Sequence, residues 1–133
     1  MKIYIAGPFF NEKEVKYLKD MIFHVKKTYH TASLFIPMEH KIDNDWALDN
    51  DKWSKAVFDM DVKALDEADM VFALYLGHYS DTGTAWEIGY AYAKNIPINL
   101  YIPEDLVGKE DMSIMPMNSG VVYGHNNIEF NQK

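Results

Sequence analysis

Glu87 is the first residue in this chain whose surroundings suggest chemistry. It is the only charged side chain in Gly83-Thr84-Ala85-Trp86-Glu87-Ile88-Gly89-Tyr90-Ala91-Tyr92-Ala93, a segment apolar around most of its circumference when wound as a helix. Such a helix is expected to be buried. A carboxylate taken out of water needs hydrogen-bond partners or a function that compensates for its desolvation. One structural explanation is local: Thr84-x-x-Glu87 matches a capping box, in which the Glu reaches back to the backbone of the capping residue. The first turn of a helix also favours an ionised carboxylate, the state a nucleophile needs, so the two readings are compatible.

Two aspartates and a tyrosine join it. Asp81 precedes the helix in Tyr79-Ser80-Asp81-Thr82-Gly83 and reads either as a loop or cap residue or as a site acid. Asp61 projects between Val57, Leu65 and Ala68 on the apolar side of a helix, whereas Asp59 and Asp66 point away. An acid on that side has either a buried structural hydrogen bond or a role in a site. Tyr4 lies in the first strand, which runs into Ala6-Gly7-Pro8-Phe9-Phe10. There Gly7 would let a ligand approach the backbone, and Phe9 and Phe10 read equally as stacking rings or as core. Trp53 and Trp86 fall at helical core spacing and read as packing. His24, His30, His40, His78 and His125 show no metal-ligand spacing, so surface or loop positions are expected and no metal is.

Other chemistries are excluded by what is missing. The chain has no cysteine, so thiolate metal sites, disulfides and Cys nucleophiles are ruled out. A net charge of -7 is the wrong sign for binding a nucleic acid polymer. Gly7 stands without the further glycines of a dinucleotide loop or the Gly-Lys-Ser/Thr of a P-loop, which disfavours dinucleotides and nucleoside triphosphates. The N-terminal apolar run is broken by Gly7-Pro8 and followed by charge, unlike a signal peptide, and no window reaches membrane-span length. A cytoplasmic protein without membrane partners is expected.

The elements that must position these residues follow from periodicity. Lys2 to Ala6 reads as a strand, and Asn11 to about Tyr29 as a helix with Val15, Leu18, Met21, Ile22 and Val25 at helical spacing. Ser33 to Pro37 reads as a second strand, and Met38 to Asp51 as a polar Asp/Asn-rich connection of functional length. Lys52 to Ala68 forms an amphipathic helix, and Met70 to Leu76 a continuous apolar strand of the kind buried on both faces of a parallel sheet. A third helix over Gly83 to Lys94, a strand over Pro97 to Ile102 and a short one over Gly120 to Tyr123 complete the series. At 133 residues this is one domain, residues 1–133. The alternation predicts an α/β fold: a doubly wound, flavodoxin- or Rossmann-like parallel sheet of about five strands with helices on both faces. Ligands then sit beyond the carboxyl ends of the strands, near Ala6 to Phe10, after Ile36, and along Gly77 to Glu87.

Three motifs in this order and spacing resemble the nucleoside 2'-deoxyribosyltransferases over nearly the whole chain. They are Tyr4 to Phe10, Asp61 with Asp69 eight residues on, and the most specific, Asp81 to Ala91. The resemblance implies that Glu87 attacks C1' of a 2'-deoxynucleoside, releases the base and holds the sugar as an ester until a second base takes it. That is a double displacement with net retention. It implies further that Asp61 and Asp81 contact the base and move its proton, that Tyr4 orients the nucleophile, and that Phe10 and Trp53 line the sugar and base pocket. Gly7 and Gly83 belong to the same binding motifs. One aspartate must protonate the leaving base, so a raised pKa is expected at Asp61 or Asp81. The partners implied are 2'-deoxynucleosides and free nucleobases, with no cofactor.

Near the C-terminus the family commonly carries an Asn-Leu-Met stretch, inserted into a neighbouring subunit's active site to bind the sugar. The matching stretch here is Ser113-Ile114-Met115. A homo-oligomer with Ser113 and Met115 acting across the interface is implied. Serine at this place resembles instead the related 2'-deoxynucleoside 5'-monophosphate N-glycosidases, where it holds the phosphate. Two features favour the transferase: Asp81 would repel a phosphate, and Phe9-Phe10-Asn11-Glu12 offers no basic or Gly-rich cradle. A non-catalytic receiver or nucleotide sensor would need an acidic pair after the first strand, where Gly7-Pro8 stands, and an acid ending the third strand, where Gly77-His78 stands.

Overall fold

Lys2–Ala6 forms strand β1, with Ile3 to Ala6 fully buried. A computed structural model of the protein describes residues 1–40, 42, 49–78, 80–109 and 111–124. Tyr79, His125 and most of the polar connection between residues 41 and 48 lie outside the described residues. Helix α1 covers Glu12–Thr28; the Asn11 side chain accepts the Glu14 N–H at its start, Lys26 and Lys27 fall in its last turn, and Tyr17, Leu18, Met21, Ile22 and Val25 form its buried stripe. The cap satisfies one of the orphan N–H groups, and the lysines complement the helix dipole.

Strand β2 is Ser33–Phe35, two residues shorter at its end than the apolar run suggests. Pro37, which has no N–H for a ladder, opens a 3-10 turn over Pro37–Glu39 instead. Helix α2 spans Asn50–Glu67 under an Asp49 cap, and β3 follows over Met70–Leu74 with Val71 to Leu74 buried, as a strand covered on both faces must be. Helix α3 is Thr82–Ala93, β4 is Ile98–Ile102, α4 is Ile114–Asn118 and β5 is Val121–Gly124.

The strands form one all-parallel sheet in the order β2-β1-β3-β4-β5. The direction of strand addition reverses between β1 and β3, the switch point at which doubly wound sheets hold ligands. Helix α1 packs on one face against Ile3, Ile5, Phe72, Leu74 and Tyr101. The other face buries Tyr4, Ala6, Val71, Ala73, Ile98 and Leu100 against Leu65 of α2 and Ile88 and Ala91 of α3. Gly7 permits the first of these packings, since a Cβ on it would lie 2.8 Å from Leu18 Cδ1 and 2.9 Å from Leu74 Cβ.

Helix α3 corrects the expectation of a buried helix. Only Thr84, Ile88 and Ala91 are buried, while Trp86 and Tyr92 are 47% and 62% exposed. A count of apolar residues around the circumference cannot reveal which side meets the sheet. Trp53 and Trp86 are likewise not core; both stand half in solvent. Phe9 and Phe10 are exposed and stack on each other with centroids 6.2 Å apart, which removes the core reading for both. Among the described residues no helix is long and apolar enough to cross a membrane.

Candidate active site

Helix α3 is capped three residues before Thr84, and that placement removes Glu87 from a capping box. The N-cap is Asp81, whose Oδ2 accepts from Thr84 N at 2.9 Å and from Thr84 Oγ1 at 3.1 Å. Thr84 is therefore a first-turn residue, and Glu87 sits a turn further in, beyond reach of the capping role. Its actual partner comes from the sheet: the Tyr4 hydroxyl, rising from the middle of β1, donates a hydrogen bond to Glu87 Oε2. Tyr4 is fully buried and stacks on Phe35 of β2 at 5.5 Å, so its ring has little freedom to swing away.

Glu87 lines a cleft of about 440 Å³ between α2 and α3, together with Asp61, Phe58, Val62, Trp86 and Gly83. Asp61 is partly buried as its place on the inner side of α2 predicts, with Leu65 fully buried one turn on and Asp59 and Asp66 exposed. Its Oδ1 is buried without a hydrogen-bond partner among the described residues. A buried acceptor left unpaired costs roughly 1–3 kcal/mol, so this atom is available to a ligand donor.

The electrostatics of the pair follow from burial. Desolvation pushes the Glu87 carboxyl up to about 8; the Tyr4 hydrogen bond opposes that rise, and the charges of Asp61 and Asp81 add to it. Burial also pushes Asp61 up to about 6, with His40 pulling it back. Burial first, and then Glu87 and Asp61, hold the Tyr4 phenol far above its ordinary value, so it stays a donor. Between about pH 6 and 8 the two carboxyls together retain one proton. In the empty cleft that proton rests on Glu87, the more strongly raised of the two, so it must pass to Asp61 before Glu87 can attack a carbon and Asp61 can protonate the group it loses.

Asp81, Ser113 and Met115 line a different cleft, of about 680 Å³, with Tyr75, His78 and Ser119. The two clefts flank α3: Ala85, Gly89 and Tyr92 face the larger one, and Gly83, Trp86 and Glu87 the smaller. Thr82, at the helix start, borders both. Ser113 is fixed there by its backbone N–H, which donates to Tyr75 Oη at 2.8 Å, and Met115 is 74% exposed. Gly7, Phe10 and Trp53 line neither cleft.

Two residues of the site escaped the sequence reading. Phe58 precedes Asp61 by one helical turn and shares its side of α2, a spacing that would have identified it once Asp61 was singled out. His40, assigned to the surface, is exposed but stacks on Phe35 at 4.2 Å, and its charge acts on Asp61. No local pattern signals that contact.

A sequence model of the family described as nucleoside 2-deoxyribosyltransferase matches residues 3–122. A nucleoside deoxyribosyltransferase of Lactobacillus johnsonii is 26% identical over 125 residues, covering 88% of this chain and 81% of the relative. The solved structure of a 2-deoxyribosyltransferase from Bacillus psychrosaccharolyticus is similar with a TM-score of 0.77 at 29% identity, over 100% of this chain and 93% of that one. A CMP N-glycosidase of Clostridium botulinum shares the fold at a TM-score of 0.55 and 20% identity, over 93% of this chain and 87% of its own. With a matched span that runs from β1 into β5 and takes in Tyr4, Asp61, Asp81 and Glu87, the chain belongs to the nucleoside 2-deoxyribosyltransferase family.

Proposed function

We propose that the protein transfers a 2'-deoxyribosyl group between purine and pyrimidine bases through an ester to Glu87. The observation that carries this reading is the Glu87 carboxylate at the α2–α3 cleft, held by the Tyr4 hydroxyl and sharing the cleft with Asp61. In the first step a Glu87 oxygen bonds to C1' and the C1'–N bond breaks. Its electron pair leaves with the base, and Asp61 gives that nitrogen a proton. In the second, a nitrogen of another base attacks C1', the ester bond breaks, the Glu87 carboxylate is regenerated, and Asp61 recovers a proton from the incoming base. Each displacement inverts C1', so the product retains the starting configuration.

Tyr4 directs a lone pair of Glu87 toward the cleft and, as a neutral donor, stabilises the carboxylate when the ester breaks. Asp81 acts differently in this reading. One of its oxygens is engaged in capping α3, so it fixes the helix that carries Glu87 and adds negative charge beside it.

Hydrolysis of nucleoside monophosphates is the second reading, because Ser113 lines a cleft beside Glu87's helix. A phosphate there would meet Asp81 and no lysine among the lining residues, and all 13 basic residues of the chain are lysines, so no guanidinium fork is available. Free nucleosides are the better substrates for this site. Since Ser113 and Met115 face away from their own Glu87 cleft, the reading also has them complete the site of a neighbouring subunit. The test is product analysis with thymidine plus adenine, run beside dAMP alone. Formation of deoxyadenosine, reduced at least 10³-fold by Glu87→Ala, supports the transferase. Free adenine from dAMP with no exchange between nucleosides would replace it with the hydrolase.

A further inference from the structure

We propose that Phe35 is a positioning residue for both carboxyls of the site: its ring, on which Tyr4 and His40 both stack, keeps the Tyr4 hydroxyl on Glu87 and the His40 imidazole within range of Asp61. The proposal rests on the glycosyl-transfer reading above.

Phe35 ends β2, the edge strand of the sheet, and the register against β1 makes it the partner of Tyr4. Side chains paired in this way leave the sheet on the same face. Here the two rings stack with centroids 5.5 Å apart and planes 13° from parallel. The chain then folds back. Pro37 opens the 3-10 turn, the Glu39 and His40 N–H groups donate to the Ile36 and Pro37 carbonyls, and the imidazole comes to lie 4.2 Å from the Phe35 ring at 14°.

Packing alone does not arrange these contacts. Phe35 is only partly buried, and with His40, Ala64 and Ala68 it lines a cleft of about 250 Å³ between the sheet edge and α2, so neighbouring side chains leave it room. His40 is exposed, and among the described residues no hydrogen bond holds its imidazole, so the ring it stacks on fixes its place. Few other charges are near. Lys2 of β1 and Glu67 of α2 line the same cleft and pair with each other at 3.5 Å, Glu39 is exposed on the turn, and Glu87 and Asp81 stand on the α3 side. His40 is the charge that lowers the Asp61 carboxyl. One aromatic ring thus supports the donor that holds the nucleophile and the imidazole that tunes the acid.

The test compares the full-length enzyme with Phe35→Leu and Phe35→Tyr, with thymidine as donor and adenine as acceptor across the pH range. Phe35→Leu is also combined with Tyr4→Phe and with His40→Ala. Phe35→Leu removes the ring and keeps an apolar side chain. It should lower kcat about tenfold while KM holds within about twofold, and it should move the acid limb upward as His40→Ala does. Phe35→Tyr, which keeps the ring, should restore both. In Tyr4→Phe the same change should cost less than about twofold in kcat, and in His40→Ala it should leave the acid limb where it is, because the groups through which Phe35 acts are already gone. A loss of undiminished size in Tyr4→Phe, an acid limb that Phe35→Leu does not move, or a loss of rate in step with loss of folded protein by circular dichroism would overturn the proposal. If the wild-type enzyme transfers no sugar, the reaction reading fails separately. The role of the ring is then judged by carbon-13 titration of the Asp61 carboxyl, whose midpoint Phe35→Leu must raise if the proposal holds and leaves in place if it does not.

Discussion

Glu87 and Asp61 set the pH behaviour of the protein, because the state competent for transfer is the one in which the pair retains a single proton. The carboxyls are pushed up to about 8 and about 6, so kcat/KM should follow a bell with limbs near those values. A profile rising steadily from pH 5 to 9 would separate the acid from the site. His40 supplies the charge that pulls Asp61 down, so His40→Ala should move the acid limb upward and leave the alkaline limb in place. Stability has the opposite dependence on the same carboxyl. Glu87 titrates higher in the folded chain than its ordinary value of 4.5, so the folded state binds more protons through that window and loses stability as pH rises through it to about 8. Glu87→Gln keeps an acceptor for Tyr4 and removes the ionisation. It should match the wild type near pH 4 and exceed it by on the order of 5 kcal/mol at pH 9 in denaturant melts.

At the level of elements, the site depends on how closely α1 and α3 approach the sheet ends. Gly7 ends β1 where the Leu18 and Leu74 side chains leave no room for a Cβ, so Gly7→Ala should destabilise the fold by roughly 1–3 kcal/mol, measured by urea unfolding. The cost arises from overpacking, so a smaller partner in Leu18→Ala/Gly7→Ala should lose less than the sum of the single variants. The strands and helices themselves were legible in the sequence because their signals are local. The Met70–Leu74 run is apolar without alternation and becomes a strand buried on both faces, and the stripe from Tyr17 to Val25 becomes the buried side of α1. Helix α3 was legible as a helix but not in its orientation. Its Ala, Gly, Trp and Tyr residues mark no polar side, and contacts with β3 and β4 decided which face turned inward.

In the whole molecule, Ser113 and Met115 sit across α3 from Glu87, lining the second cleft. If they complete a neighbour's site, mixing Glu87→Ala subunits with a Ser113→Ala/Met115→Ala variant should recover up to about a quarter of wild-type activity, through hybrid oligomers holding one intact site. Recovery no greater than the two variants give separately would confine every site to one chain. The sequence by itself determined the doubly wound parallel sheet and the carboxylate most exposed to suspicion, because strand and helix periods and a lone charge in an apolar helix are short-range features. It also led to Asp61, through the face of its helix. Only the tertiary structure decided that Tyr4, 83 residues distant, is the partner of Glu87, and that Asp81 caps α3 from its other side. Only it brought Phe58 and Trp86 to the cleft of Glu87 and set His40 where its charge acts on Asp61. Those relations exist between elements far apart along the chain, and packing of the helices against the sheet creates them.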